Sequence, residues 1–289
     1  MLAMLSKAHD FIFKNARLLD RQLFAWLFEG GSRDAVLRAL LAYQNPDGGF
    51  GDALEPDKRD PGSQPVDVEV AFHLLEKLDA FDHPCVLQAC DFLASIATPE
   101  GGVPFALPTV MGYPRAPWWN VPAAPPASLN PTASLAGMLL AHRIQHPWLE
   151  RAVPYCWQAI AENKSIEYHD LMPMIAFLQH APETQRAAGE LERIRRRIEE
   201  QQLVSLDSAA GGYVHPPLDW APTPRHWARG LFSDAVLQAD LNRLLTLQQE
   251  DGGWPISWQP VSTAVELEWR GLKTVEALYT LEAYGVEIR

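Results

Sequence analysis

The sequence predicts an all-α fold: about five or six helical hairpins closed into a ring, in one domain spanning residues 1–289. Three observations carry that expectation. The phrase QNPDGGFG at residues 44–51 returns near the other end as QQEDGGWP at residues 248–255. Apolar residues at helical spacing precede the double glycines. No strand-like alternation persists anywhere along the chain.

The double glycines fall at Gly48-Gly49, Gly101-Gly102, Gly211-Gly212 and Gly252-Gly253, at intervals of 53, 110 and 41 residues. The long interval is about twice the others, which predicts a unit without glycines near Asn163. Helices are expected in SRDAVLRALLAYQ, HPCVLQACDFLASI, ERIRRRIEEQQLVSL and DLNRLLTLQQ. After the loops, a second set is expected in VDVEVAFHLLEKL, NPTASLAGMLLAHRI, HDLMPMIAFLQH and AVELEWRGLKTVEALYTLEAY. A helix over residues 5–28 would complete a sixth unit. The Gly211 unit is the poorest match, since little room is left for its second helix before Ser233. Hairpins of this kind bury one another's faces, and neither end carries a polar capping repeat, so a ring is preferred to an open stack.

Bulk properties bound the function. A formal net charge of -12 repels phosphate backbones, so nucleic acid is not an expected partner, and charge alone will not bring the chain to an anionic membrane. No run of about 18 uncharged apolar residues predicts a membrane span, and no signal peptide is read at the N-terminus. Three cysteines, Cys85, Cys90 and Cys156, read as reduced thiols in a cytoplasmic protein. The sequence leaves the oligomeric state open.

QNPDGGFG and QQEDGGWP resemble the QW-type repeats of the terpenoid cyclase and protein prenyltransferase superfamily, with IATPEGGVPF and LDSAAGGYVHP as weaker echoes. The resemblance implies an α/α toroid: two concentric rings of helices around an apolar, aromatic central cavity. The repeated phrase itself is expected to be a structural clasp at each hairpin.

The chemistries of that superfamily make different demands. Acid-initiated cyclases carry DxDD, and the matching stretch here, PVDVEVAF, offers Asp67 and Glu69 without the adjacent acid pair. On a helix these two point about 200 degrees apart. The zinc ligands of the prenyltransferases lack their Asp-x-Cys pair, and the Asp-Asp-x-x-Asp of the magnesium-dependent cyclases is absent. No metal and no other cofactor is therefore expected.

Further polar and aromatic residues gather at the expected starts of the second-set helices. SIEYHDLMP holds Glu167, His169 and Asp170, the last a candidate helix cap. AVELEWRG holds Glu266, Glu268, Trp269 and Arg270, with Glu266 and Arg270 spaced to permit an ion pair. Two proline-rich loops hold Asp219 with Trp220, and Trp118 and Trp119 ahead of Asn130; the second, about 27 residues long, could lid a cavity. Asp67, Glu69, His169 and Asp170 are the candidate catalytic residues. The others, Trp118, Trp119, Asn130, Glu167, Asp219, Trp220, Glu266, Glu268 and Trp269, are candidates to line the ligand site. The expected partner is a hydrophobic small molecule of isoprenoid type. A sugar enzyme with paired carboxylates, or a non-catalytic binding module, is the alternative.

Overall fold

A computed structural model describes residues 4–205 and 215–289. The Gly211-Gly212 turn and its LDSAAGGYVHP echo therefore lie outside the described residues, apart from His215 and Pro216. The described residues form twelve α-helices, joined by short 3-10 turns and isolated bridges, and contain no strand. The chain divides into two compact units, one of Met1–Ala39 with Gln202–Arg289 and one of Leu40–Gln201.

In the Leu40–Gln201 unit, α4 (Pro65–Lys77), α6 (Leu129–Ala141) and α8 (Tyr168–Leu178) pack side by side. A second row holds α5 (Cys85–Ile96) and α7 (Pro147–Glu162), and α9 (Thr184–Glu200) packs on α8. Sequence explains the two rows. In α5 the buried positions Val86, Ala89, Cys90 and Leu93 make one stripe, while Leu87 is 49% exposed. In α6 every residue from Pro131 to Leu139 is buried, as expected of a helix enclosed on all sides. A Cβ on Gly137 would collide with the Ala176 carbonyl, so this glycine sets how closely α6 and α8 approach.

The turn after α3 (Arg33–Leu41) shows why the glycine phrase repeats. Gly48 sits at φ +87, and a Cβ there would strike the Gln88 carbonyl of α5. The Gln44 amide donates to the Gly48 carbonyl at 2.9 Å and to the Cys85 carbonyl at 3.3 Å. Asp47 accepts from the Gly49 amide at 3.0 Å and the Ser63 hydroxyl at 2.6 Å. The turn after α5 keeps the same backbone pattern, with Gly101 against the Arg151 carbonyl of α7. There Ala97 stands where Gln44 stood, and the Trp148 indole supplies the missing donor, reaching the Gly101 carbonyl at 3.1 Å. The glycine-free unit near Asn163 is closed differently. Arg193 and Arg197 of α9 donate to the carbonyls of Ile160, Asn163 and Ser165, in the last turn of α7 and just beyond it.

In the other unit, α1 (Met4–Asn15) and α2 (Leu18–Phe28) both pack on α12 (Thr263–Ala283), beside α11 (Asp234–Thr246). The single helix expected over residues 5–28 is in fact two. The chain turns at Ala16 and the extended Arg17, where Gly271 of α12 lets Ala16 approach closely. The short α10 (Pro217–Trp220) occupies the cramped second-helix position before Ser233. The turn after α11 repeats the clasp in full: Gln248 donates to the Gly252 carbonyl at 2.9 Å and to the Met4 carbonyl at 3.0 Å. Gly252, at φ +95, lies against the Lys7 carbonyl of α1. Helix α1 thus takes the place beside this turn that α5 and α7 take beside theirs.

One side chain each of α6 and α12 completes a turn in its own unit. Thr132 of α6 accepts the Val103 amide at 2.9 Å, and Thr274 of α12 accepts the Trp254 amide at 3.0 Å. No helix among the described residues is long and apolar enough to cross a membrane.

Candidate functional site

The segment between the first glycine turn and α4, GDALEPDKRDPGSQ, is rich in charged residues, the kind that water ordinarily solvates. It is folded inward instead: Glu55, Asp57, Lys58, Asp60, Gln64 and Asp67 are all buried. Burying charge is costly unless it is paired, and the pairing here centres on Asp67, in the first turn of α4. One of its oxygens accepts the Glu55 amide at 2.8 Å, and the other is bonded to the Lys58 ammonium, whose side chain is wholly enclosed. Burial raises the Asp67 carboxyl to about 6, with Lys58 pulling against the rise. Asp67 is therefore mostly ionised at neutral pH, and both its oxygens are occupied.

Asp60 ties this segment to the next loop. It accepts from Gln64 and from the Thr109 hydroxyl, each at 2.7 Å, and Gln64 in turn accepts the Leu107 amide at 2.7 Å. Glu55 is different in kind. Its Oε2 is enclosed without a hydrogen-bond partner, and burial, followed by the neighbouring Asp57, holds its carboxyl well above the usual range. Glu55 keeps a proton that an exposed glutamate would lose.

A pH dependence follows from that proton. Below about pH 4.5 both folded and unfolded chains hold it, and stability does not suffer. As pH rises above that value only the unfolded chain ionises, and the wild type loses roughly 1.4 kcal/mol per pH unit until the raised folded pKa is reached. Glu55→Gln, which mimics the neutral acid, is expected to gain on the wild type as pH is raised from 4.5 towards 7. Urea unfolding of both proteins at several pH values checks this; a gap that stays constant with pH would mean Glu55 is ionised in the fold.

Glu69 lies one helical half-turn from Asp67 and is half-buried rather than enclosed. It accepts a hydrogen bond from Ser134 of α6 and is close to His73, one turn further along α4. Burial raises its carboxyl above the ordinary value, with His73 and Ser134 opposing. Ser134 meets Glu69, and Gly137 meets Ala176, at matching depths from the helix starts, so α4, α6 and α8 run in register.

The other expected residues of this unit are distributed around those helix starts. Asn130 is half-buried and non-helical, at the head of α6. Glu167 takes the cap position of α8 without a side-chain cap bond, His169 is exposed, and Asp170 lies in the first turn instead of capping it. Trp119 is buried and stacked on Phe105 at 4.6 Å, while Trp118 is 46% exposed.

The second unit holds the remaining candidates. Asp219 is exposed and bonded to His215 at 3.2 Å, and Trp220 is fully buried. Glu266 and Glu268 are half-buried, and Trp269 meets Trp258 edge-on at 5.1 Å. Arg270 does not turn to Glu266. It lies over Phe11, bonds Asp251 at 2.7 Å and donates to the Trp254 carbonyl, so it serves the glycine turn. The three cysteines are buried and free, and burial pushes the Cys85 and Cys90 thiols up to about 11 and about 12, which makes them poor nucleophiles.

Sequence reasoning found Asp67 and Glu69 but missed Lys58, Glu55, Asp60 and Ser134. A charge run carries no mark of its burial, though the two prolines inside it and its position directly after the glycine turn are signals of a constrained loop.

No protein-family model and no curated protein sequence matches the chain. Among solved structures it is similar to that of a protein from Actinoplanes, with a TM-score of 0.58 and 16% identity, over 97% of this chain and 98% of that one. A likeness at that identity is one of fold.

Proposed function

We propose that this chain is a terpenoid cyclase-like α/α toroid protein that takes a hydrophobic ligand of isoprenoid type, with Glu69 as a metal-independent proton donor. The ring plan is supported by the seat of α1, which stands to the turn after α11 as α5 stands to the turn after α3. The donor assignment rests on one observation: Glu69 is a half-buried carboxyl that burial raises above its ordinary value and whose oxygen accepts from Ser134.

An alkene is a poor base, so its protonation needs a neutral carboxylic acid held in apolar surroundings. In the step the Glu69 O–H bond breaks and a C–H bond forms at one alkene carbon. The positive charge passes to the other carbon, and the carboxylate left behind is stabilised by the Ser134 hydroxyl and the neighbouring His73. Loss of a proton from the cyclised cation restores the acid. Asp67, ionised and bonded at both oxygens, suits an anchor for the α4 start better than a donor.

Purified protein incubated without metal, with a panel of polyprenyl diphosphates and squalene-like hydrocarbons, tests the reading by mass spectrometry of the organic extract. A cyclised product from the wild type, reduced at least about 100-fold in Glu69→Gln, is the expected result. Product formation that survives in Glu69→Gln would move the donor elsewhere, and no product from any substrate would leave only ligand binding.

A further inference from the structure

From Gly101 to Leu149 the chain has no acidic residue, although it carries 36 in all. The centre of this stretch, MGYPRAPWWNVPAAPPA at residues 111–127, runs over the surface, with only Ala116 and Trp119 buried. Met111, Tyr113 and Trp118 are 43%, 41% and 46% exposed. An exposed run this apolar is unusual on a protein surface and marks contact with an apolar partner.

Several polar groups in its first half are bonded within the run. The Arg115 guanidinium donates to the Met111 carbonyl at 3.1 Å, the Tyr113 carbonyl at 3.0 Å and the Asn120 side chain at 2.9 Å. Pro114, Pro117, Pro122, Pro125 and Pro126 remove five backbone donors that would otherwise need water. The run is also stiffly held, by the Arg59 amide on the Pro114 carbonyl at 2.9 Å and the Ala116 amide on the Asp57 carbonyl at 2.8 Å.

We propose that residues 111–127 dock on the interfacial zone of a lipid bilayer. The charge pattern selects that occupant. Aspartate and glutamate, abundant elsewhere, are excluded here, and the sole charge is an arginine beside a tyrosine and a tryptophan, the residue types that sit well between headgroup and acyl chain. Internally satisfied carbonyls lower the cost of leaving water, which a merely soluble loop has no need to do. Attachment would be driven by apolar burial, since the chain as a whole is acidic.

The test is flotation of the full chain with phosphatidylcholine vesicles, comparing wild type with the triple variant Met111→Ser, Tyr113→Ser, Trp118→Ser. More than half of each residue is covered by the fold, so flotation is compared at a temperature below the melting transition of both proteins. The wild type is expected to float, to do so undiminished at about 0.5 M salt, and to lose at least about tenfold in partitioning when the three side chains are cut. Wild-type protein that stays in solution would overturn the proposal, as would equal flotation of the triple variant. Binding confined to anionic vesicles and abolished by salt would also overturn it. So would a wild-type dimer that the triple variant dissolves, because a second copy would then be the occupant.

Discussion

Asp67→Leu is expected to cost roughly 3–5 kcal/mol of folding stability, the range for stranding a buried charge. The leucine removes the counter-charge of Lys58, whose side chain is wholly enclosed, and deprives the Glu55 amide of its acceptor. The pair Lys58→Met with Asp67→Leu should recover at least about half of that loss. Two well-packed apolar residues avoid the desolvation cost that the ion pair must offset. Denaturant unfolding of the two variants and the wild type decides the matter. If the double variant is no more stable than the single one, the ion pair is not what Asp67 contributes, and the backbone bond to Glu55 is.

Gly252→Ala is expected to lose about 3–5 kcal/mol, combining a backbone held at φ +95 with a collision between the new methyl and the Lys7 carbonyl. Gly285→Ala separates the two causes. Gly285 also has a positive φ, of +78, but nothing lies within 4 Å of where its Cβ would be, so strain alone should cost about 1 kcal/mol. Equal thermal shifts for the two variants would mean that the approach of α1 to this turn contributes nothing to stability.

The turns were legible in the sequence because they obey local rules. A Gln four residues before a glycine of positive φ, and an Asp one before it, form bonds within their own loop, so QNPDGG and QQEDGG announce themselves. The helices of both rows were legible through their apolar spacing, except α7, whose place in the glycine-free unit had no turn phrase to mark it. What was not legible depended on partners distant in sequence. Trp148 replaces a missing glutamine from 47 residues away, and the arginines of α9 close a turn more than 30 residues earlier. The acid cluster was half legible for the same reason. Asp67 and Glu69 stood out at a helix start, whereas the burial of Lys58 and Glu55 is decided by a loop folding back on α4, which no local spacing records. Arg270 shows the converse error: its spacing from Glu266 permitted a pair, but Asp251 of the preceding turn offered a better one.

The bond from Gln248 to Met4 spans 244 residues, and the Leu5 amide meets the Ile288 carbonyl at 3.0 Å. One compact unit is thus assembled from the first and last parts of the chain. During synthesis at about 5–20 residues per second, α1 emerges from the ribosome on the order of ten to fifty seconds before the turn that clasps it. Through that interval the apolar faces of α1 and α2, with Phe11, Ile12, Leu19, Leu23 and Phe24, have no α12 to cover them. The Leu40–Gln201 unit has all its partners within its own span and is free to fold first. The chain's vulnerable moment is therefore this wait, when its beginning is an adhesive, unprotected segment open to capture by a chaperone or by another nascent copy.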